Sequence, residues 1–164
     1  MITCTFEDGG IGRKRHVTIN AILVKDNKVL LGKRGTYNGN PMLEYGKWGL
    51  IGGFVERDEN LEEALKREIK EETGCDATSF TLFHIKDNPD RPHEDRQNIE
   101  FVFIVQTSDD FTEGNEEVRK LEWFAFDQVP PKEEMAFDHG DDLVLYKKYL
   151  SSKFPLPFVG KNSS

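Results

Sequence analysis

Apolar positions along this chain follow two different periods, and the change of period divides it. Residues 17 to 24, VTINAILV, and 28 to 31, KVLL, are apolar and β-branched and flank Lys25-Asp26-Asn27, so a hairpin is predicted. Trp48-Gly49-Leu50-Ile51-Gly52-Gly53 reads as a short strand entering a turn where glycines permit close backbone approach. The spacing then becomes helical. From the capping-type residue Asn60, the residues Leu61, Ala64, Leu65 and Ile69 recur on one face, and Thr73-Gly74 supplies a stop. Strands are expected at 79 to 86, 99 to 106 and 118 to 126, and a last helix near 140 to 151. No repeat or low-complexity block interrupts this mixed α+β pattern. The closing FPLPFVGKNSS reads as a packed aromatic strap with a frayed tail.

Projecting the helix at roughly 100° per residue with Leu61 at zero sorts its charges. Glu68 falls at roughly 340° and Glu72 at roughly 20°, inside the apolar arc. Glu71 borders that arc, whereas Glu62, Glu63, Lys66 and Lys70 project to solvent, where helical charge pairs explain them. An inward carboxylate must be paired, protonated or bound to a cation, because taking an unpaired charge out of water costs several kcal/mol. Hard divalent ions accept oxygen ligands, and Mg²⁺ takes one or two carboxylates together with waters and phosphate oxygens. The plain alternative is an ordinary charged helix whose edge residues reach solvent or pair with Arg67.

Composition narrows the classes. With 164 residues the chain is expected to be one domain, its core at about 16–152 and residues 153–164 a tail. No apolar run approaches a transmembrane length, and Phe6-Glu7-Asp8-Gly9-Gly10 interrupts any signal-peptide core. Cys4 and Cys75 form no framework or metal motif, so a cytoplasmic location with free thiols is expected. A net charge of −8 argues against binding a nucleic-acid polymer by its phosphates. A small anionic ligand is still compatible, because a bound cation inverts the local field.

The segment from Gly53 to Cys75, GFVERDENLEEALKREIKEETGC, resembles the Nudix box, G-x5-E-x7-R-E-U-x-E-E-x-G-U with U apolar. Gly53, Glu59, Arg67, Glu68, Ile69, Glu71, Glu72, Gly74 and Cys75 fill its fixed positions in turn. The resemblance implies a mixed β-sheet sandwiched between α-helices, with the box helix lining the active site. It also implies Mg²⁺ (or Mn²⁺) and hydrolysis of a nucleoside diphosphate linked to another moiety, with activation of a water for attack at phosphorus. Glu68 and Glu72 are the leading metal ligands, Glu71 the third, and the Gly53 carbonyl contributes in proteins with this box. Arg67 is expected to orient a box carboxylate, and Glu59 to support the loop or helix start. The general base varies among such enzymes; Glu117 is the candidate by resemblance, with Glu94 and Glu100 as others.

Substrate contacts are read from outside the box. Lys33 and Arg34 end the second strand and suit phosphate, although a basic end to an exposed strand explains them equally. Residues 35 to 47 read as a mobile loop offering Tyr37 and Tyr45 to stack on a base, while Trp48 is assigned to the core. Pro89, fifteen residues after Gly74, and Ala136-Phe137-Asp138-His139 resemble features of the ADP-ribose pyrophosphatase-like branch. The same residues also make sense as loop punctuation and as a helix start capped by Asp138, stapled by Phe137 and packed through Leu143 and Tyr146. ADP-ribose or a related nucleotide sugar is therefore the expected small-molecule substrate; many enzymes resembling that branch are dimers, so the resemblance allows a homodimer, although no interface is identified in the sequence. Two departures stand beside the box, Ile51 where many members have Pro and Asp58 where Gly is common, and both bear on loop geometry. The competing readings are a house-cleaning pyrophosphatase of oxidised nucleoside triphosphates, an inactive ligand-binding regulator, and a purely structural acidic protein.

Overall fold

The computed structural model describes residues 1–89, 97–112 and 114–160. Its elements in chain order are β1 (Ile2–Thr5), β2 (Ile11–Lys14), β3 (Val17–Lys25), β4 (Lys28–Arg34), β5 (Thr36–Tyr37), β6 (Asn40–Pro41), β7 (Trp48–Gly49), β8 (Ile51–Phe54), α1 (Leu61–Thr73), β9 (Ser79–Lys86), β10 (Ile99–Gln106), β11 (Val118–Ala125), α2 (His139–Ser151) and β12 (Phe158–Val159). The main sheet runs β11-β4-β3-β10-β9-β12, with β7 on β4 and β8 on β3. It is mixed, because β3 and β10 pair in parallel while β3 and β4 are antiparallel.

Local chemistry accounts for the elements. The β3–β4 turn places Asp26 and Asn27 at φ 49° and 58°, the left-handed pair that a two-residue hairpin requires. Asn60 caps α1 by accepting from the Glu62 and Glu63 amides, Glu63 reaches back to the Asn60 amide, and Gly74 ends the helix at φ 74°. Along β3 the side chains alternate. Ile19, Ala21 and Leu23 pack with Ala64, Leu65 and Ile69 of α1, whereas Ile22 joins Leu143, Leu145 and Tyr146 of α2 on the other side. The sheet thus lies between two helices, as expected.

Three features depart from the sequence reading. An antiparallel β1–β2 hairpin precedes the predicted strands. The expected loop at 35 to 47 contains a small β5–β6 hairpin turning at Asn38-Gly39, where both residues have positive φ. Asp138 makes no side-chain cap to α2; its carboxylate instead accepts from Lys86 Nζ at 2.9 Å. The aromatic strap is present as Phe154, Leu156 and Phe158 packed on the α2-side core, with β12 pairing β9 in parallel. Its last residues, 161 to 164, lie outside the described ones.

Candidate active site

The box carboxylates meet the Gly-rich turn at one edge of the sheet. β8 pairs with β3 so that Gly52 faces Asn20 and Gly53 faces Ile19, and α1 packs across this pair. Gly52 has φ 147°, and a Cβ there would lie 2.2 Å from the Ile19 carbonyl oxygen, so only glycine fits. At Gly53 a Cβ would lie 2.4 Å from Glu68 Oε1. The turn therefore brings bare backbone against the helix, and the Gly52 amide donates to Glu72 Oε2 at 3.0 Å.

Arg67 organises the rest of the helix face. Its Nε and Nη2 donate to both Glu59 oxygens at 3.0 and 2.7 Å, Nη1 donates to Glu68 Oε1 at 2.8 Å, and Nη2 also reaches the Phe54 carbonyl at 3.1 Å. Glu59 in turn accepts from the Glu56 amide at 2.7 Å, tying the preceding loop to the helix. The fork holds the Glu59 carboxyl below its ordinary range and the guanidinium firmly charged. Arg67 thus contacts both Glu59 and Glu68, and Glu59 contacts the loop before the helix.

Of the two inward carboxylates, Glu68 has Arg67 beside it and Glu72 has no such partner among the described residues. Desolvation first, and then repulsion from Glu68, push the Glu72 carboxyl up to about 8. Glu72 is partly exposed as a residue, yet its carboxyl group sits in a desolvated angle of the cleft. Among the described residues no cation pairs with it. Burial likewise raises Glu68 despite the Arg67 contact. Glu71 stands apart: its side chain is 57% exposed and its ion pair among the described residues is with Arg67, at 3.3 Å. Among the described residues no three His, Cys, Asp or Glu side chains gather as a ready-made cation site, so the structure assembles the Glu68–Glu72 pair and leaves Glu71 at its rim. That pair, crowded against backbone that carries no Cβ, has the charge and donor chemistry of a divalent-cation site.

A cleft of about 790 Å³ opens over the pair. Glu68, Glu71, Glu72, Arg67, Gly53 and Glu117 line it together with Arg34 and Tyr37. Burial and Glu116 raise the Glu117 carboxyl. The Arg34 guanidinium stacks over Phe137 at 5.1 Å and donates to the Leu43 carbonyl at 2.8 Å. Lys33 and Tyr45 do not reach this lining. Lys33 Nζ lies over Trp48, and Arg119 holds the Tyr45 hydroxyl at 2.9 Å, so strand alternation and an outside ion carry both away. Trp48 is buried, as assigned.

Glu100 is corrected as a base candidate: it is 1% exposed and receives Asn20 Nδ2 at 2.8 Å and Lys86 Nζ at 3.2 Å. Glu94 and most of the loop after Pro89 lie outside the described residues. Thr18, Asn20, Leu50 and Asn98 also line the cleft and were not foreseen, and Phe137 and His139 of the singled-out segment join them. A signal was present in polar Thr18 and Asn20, two apart on one face of an otherwise apolar strand.

Comparison with known proteins agrees with this geometry. The profile of the NUDIX domain matches residues 14–143. The chain is 37% identical over 123 residues to the ADP-ribose pyrophosphatase of Methanocaldococcus jannaschii, spanning 75% of this chain and 68% of that protein. It is 31% identical over 105 residues to the 8-oxo-dGTP diphosphatase of Proteus vulgaris, spanning 62% of this chain and 85% of that protein. Among solved structures it is similar to a NUDIX hydrolase from Nitrosomonas europaea, with TM-score 0.75, 26% identity, and coverage of 93% of this chain and 81% of that one.

Proposed function

The chain belongs to the NUDIX family of hydrolases, and from that premise we propose that it is a divalent-cation-dependent pyrophosphohydrolase of ADP-ribose or a related nucleotide sugar. The observation that carries the cation dependence is the desolvated Glu68–Glu72 pair set against Gly52 and Gly53 at the floor of the cleft. Water adds to one phosphorus, the P–O–P bridge breaks, and a nucleoside monophosphate and a sugar phosphate leave.

Each residue has a distinct part. Glu68 and Glu72 would hold the ion, with Glu71 joining from the rim and the Gly53 backbone contributing its carbonyl oxygen. When bound, Mg²⁺ or Mn²⁺ would supply Lewis-acid polarisation of the phosphate oxygens and offset the charge that develops there. Arg67, clamped by Glu59, keeps Glu68 in place. Glu117, which lines the cleft and whose carboxyl is raised by burial, would take the proton of the attacking water. Arg34, in the cleft lining, contacts the phosphates, and the exposed Tyr37 stacks on the base.

The identity to the Methanocaldococcus jannaschii ADP-ribose pyrophosphatase favours a nucleoside diphosphate sugar. The likeness to the Proteus vulgaris 8-oxo-dGTP diphosphatase supports a second reading, removal of oxidised nucleoside triphosphates. Product analysis separates them. Incubation with ADP-ribose and Mg²⁺ is expected to yield AMP and a sugar phosphate with no inorganic pyrophosphate. A higher kcat/KM for 8-oxo-dGTP, with pyrophosphate released, would establish the second reading instead.

A further inference from the structure

The start of α2 braces the Gly-rich turn. His139 is 4% exposed, and its Nδ1 accepts a hydrogen bond from the Leu50 amide at 3.0 Å. Just before it, the Ala136 amide donates to the Trp48 carbonyl at 2.6 Å, and Met135 bridges Trp48 in parallel. Gly49 lets the ring come this close, since a Cβ there would stand 3.2 Å from His139 Nδ1. Phe137, between the two anchors, holds φ 51°, a conformation that bulky side chains avoid. The Arg34 guanidinium and the His139 ring pack against it at 5.1 and 5.6 Å. A strained residue fixed on both sides indicates a segment whose placement is over-determined. Residues 135 to 139 thus form a splint along 48 to 50, and only two residues beyond Leu50 the Gly52 amide donates to Glu72.

We propose that His139 is a positioning residue for the hydrolysis: its Nδ1, acting as acceptor, fixes the Leu50 amide and thereby the turn that offers Gly52 to Glu72 and bare backbone to Glu68. Nδ1 accepts only when it carries no proton, so the working imidazole is neutral with its proton on Nε2. The inference rests on the proposed cation-holding role of Glu68 and Glu72. It explains why His139 lies in the cleft wall yet points one nitrogen into the backbone.

Asparagine places Oδ1 where histidine has Nδ1, whereas glutamine places its amide near Nε2, so the two substitutions separate positioning from substrate contact. Full-length wild type, H139N, H139Q and H139L are compared by hydrogen–deuterium exchange of the peptide covering 48 to 53 without metal, and by kcat and KM for ADP-ribose with Mg²⁺. H139N is expected to keep wild-type exchange and most of its kcat. H139L and H139Q are expected to exchange faster there and to lose roughly tenfold in kcat with KM little changed. Unchanged exchange in H139L, faster exchange with kcat retained, or rescue by glutamine with KM as the moving parameter would each overturn the proposal. The exchange arm reads the turn alone. A fully active Glu72→Gln enzyme would sink the carboxylate reading while leaving that arm intact.

Discussion

Two groups of buried carboxylates lie on opposite sides of the same sheet, and the chain treats them differently. On the α2 side Lys86 Nζ reaches Asp142 at 2.8 Å, Asp138 at 2.9 Å and Glu100 at 3.2 Å, while His84 Nδ1 sits 2.9 Å from the other Asp142 oxygen. His84 Nε2 also lies 2.9 Å from the Gly160 carbonyl, so this network ties the strap to the core. On the α1 side Arg67 serves Glu59 and Glu68, while among the described residues Glu72 accepts a hydrogen bond from the Gly52 amide and pairs with no cation. In the first group one ammonium contacts all three carboxylates. In the second, Glu72 has no such partner among the described residues, and such a deficit separates a site from a scaffold, because an uncompensated carboxylate is tolerated where a cation or proton comes from outside.

The comparison can be broken at either end. Removing the internal cation with Lys86→Met leaves its carboxylates buried without it and is expected to destabilise the fold by about 3–5 kcal/mol. Urea unfolding reads this directly, and a loss under about 1 kcal/mol would show that Lys86 does not hold this network together. Glu72→Gln reverses the pattern. It is expected to lower kcat/KM by roughly two to three orders of magnitude while the melting temperature of the metal-free protein holds or rises.

A smaller effect follows from pH. The Glu72 carboxyl titrates near 4.5 when unfolded and at about 8 in the fold. Between those values the folded state binds the extra proton, so metal-free stability is full below the lower value and falls as pH rises through the upper one. Melting curves taken across this window should decline, and added Mg²⁺ should restore more stability at alkaline than at acidic pH. An equal Mg²⁺ effect at both ends would contradict the assignment. The smallest change is expected from Lys33→Ala, whose ammonium lies over Trp48 outside the cleft. Its kcat/KM should stay within about twofold of wild type; a tenfold rise in KM would place Lys33 on the substrate after all.

The α1 side was legible in the sequence because local rules decide it. Asn60, Glu63 and Gly74 set the ends of the helix, and the 3.6-residue period separates inward Glu68 and Glu72 from solvated Glu62 and Glu63. The α2 side was not legible, because its partners are distant in sequence. Lys86 and Asp142 are 56 residues apart, and Leu50 and His139 are 89. Asp138 illustrates the conflict: local chemistry makes it a cap, but a long-range ammonium claims its carboxylate. Glu100 misled for the same reason, since no local pattern announces that Lys86 and Asn20 hold it. Lys33 and Tyr45 lie outside the cleft lining through orientation, a property that pairing and packing fix later than sequence spacing does.

The central claim is that Glu72 awaits an external cation, and isothermal titration with Mn²⁺ at pH 7 tests it most directly. Run in two buffers of different ionisation enthalpy, the titration also counts the protons released. The wild-type protein is expected to bind Mn²⁺ and release up to about one proton, since a carboxyl titrating near 8 is mostly protonated at that pH. Glu72→Gln should bind far more weakly and release none. Equal affinity and equal proton release in the two proteins would contradict the account.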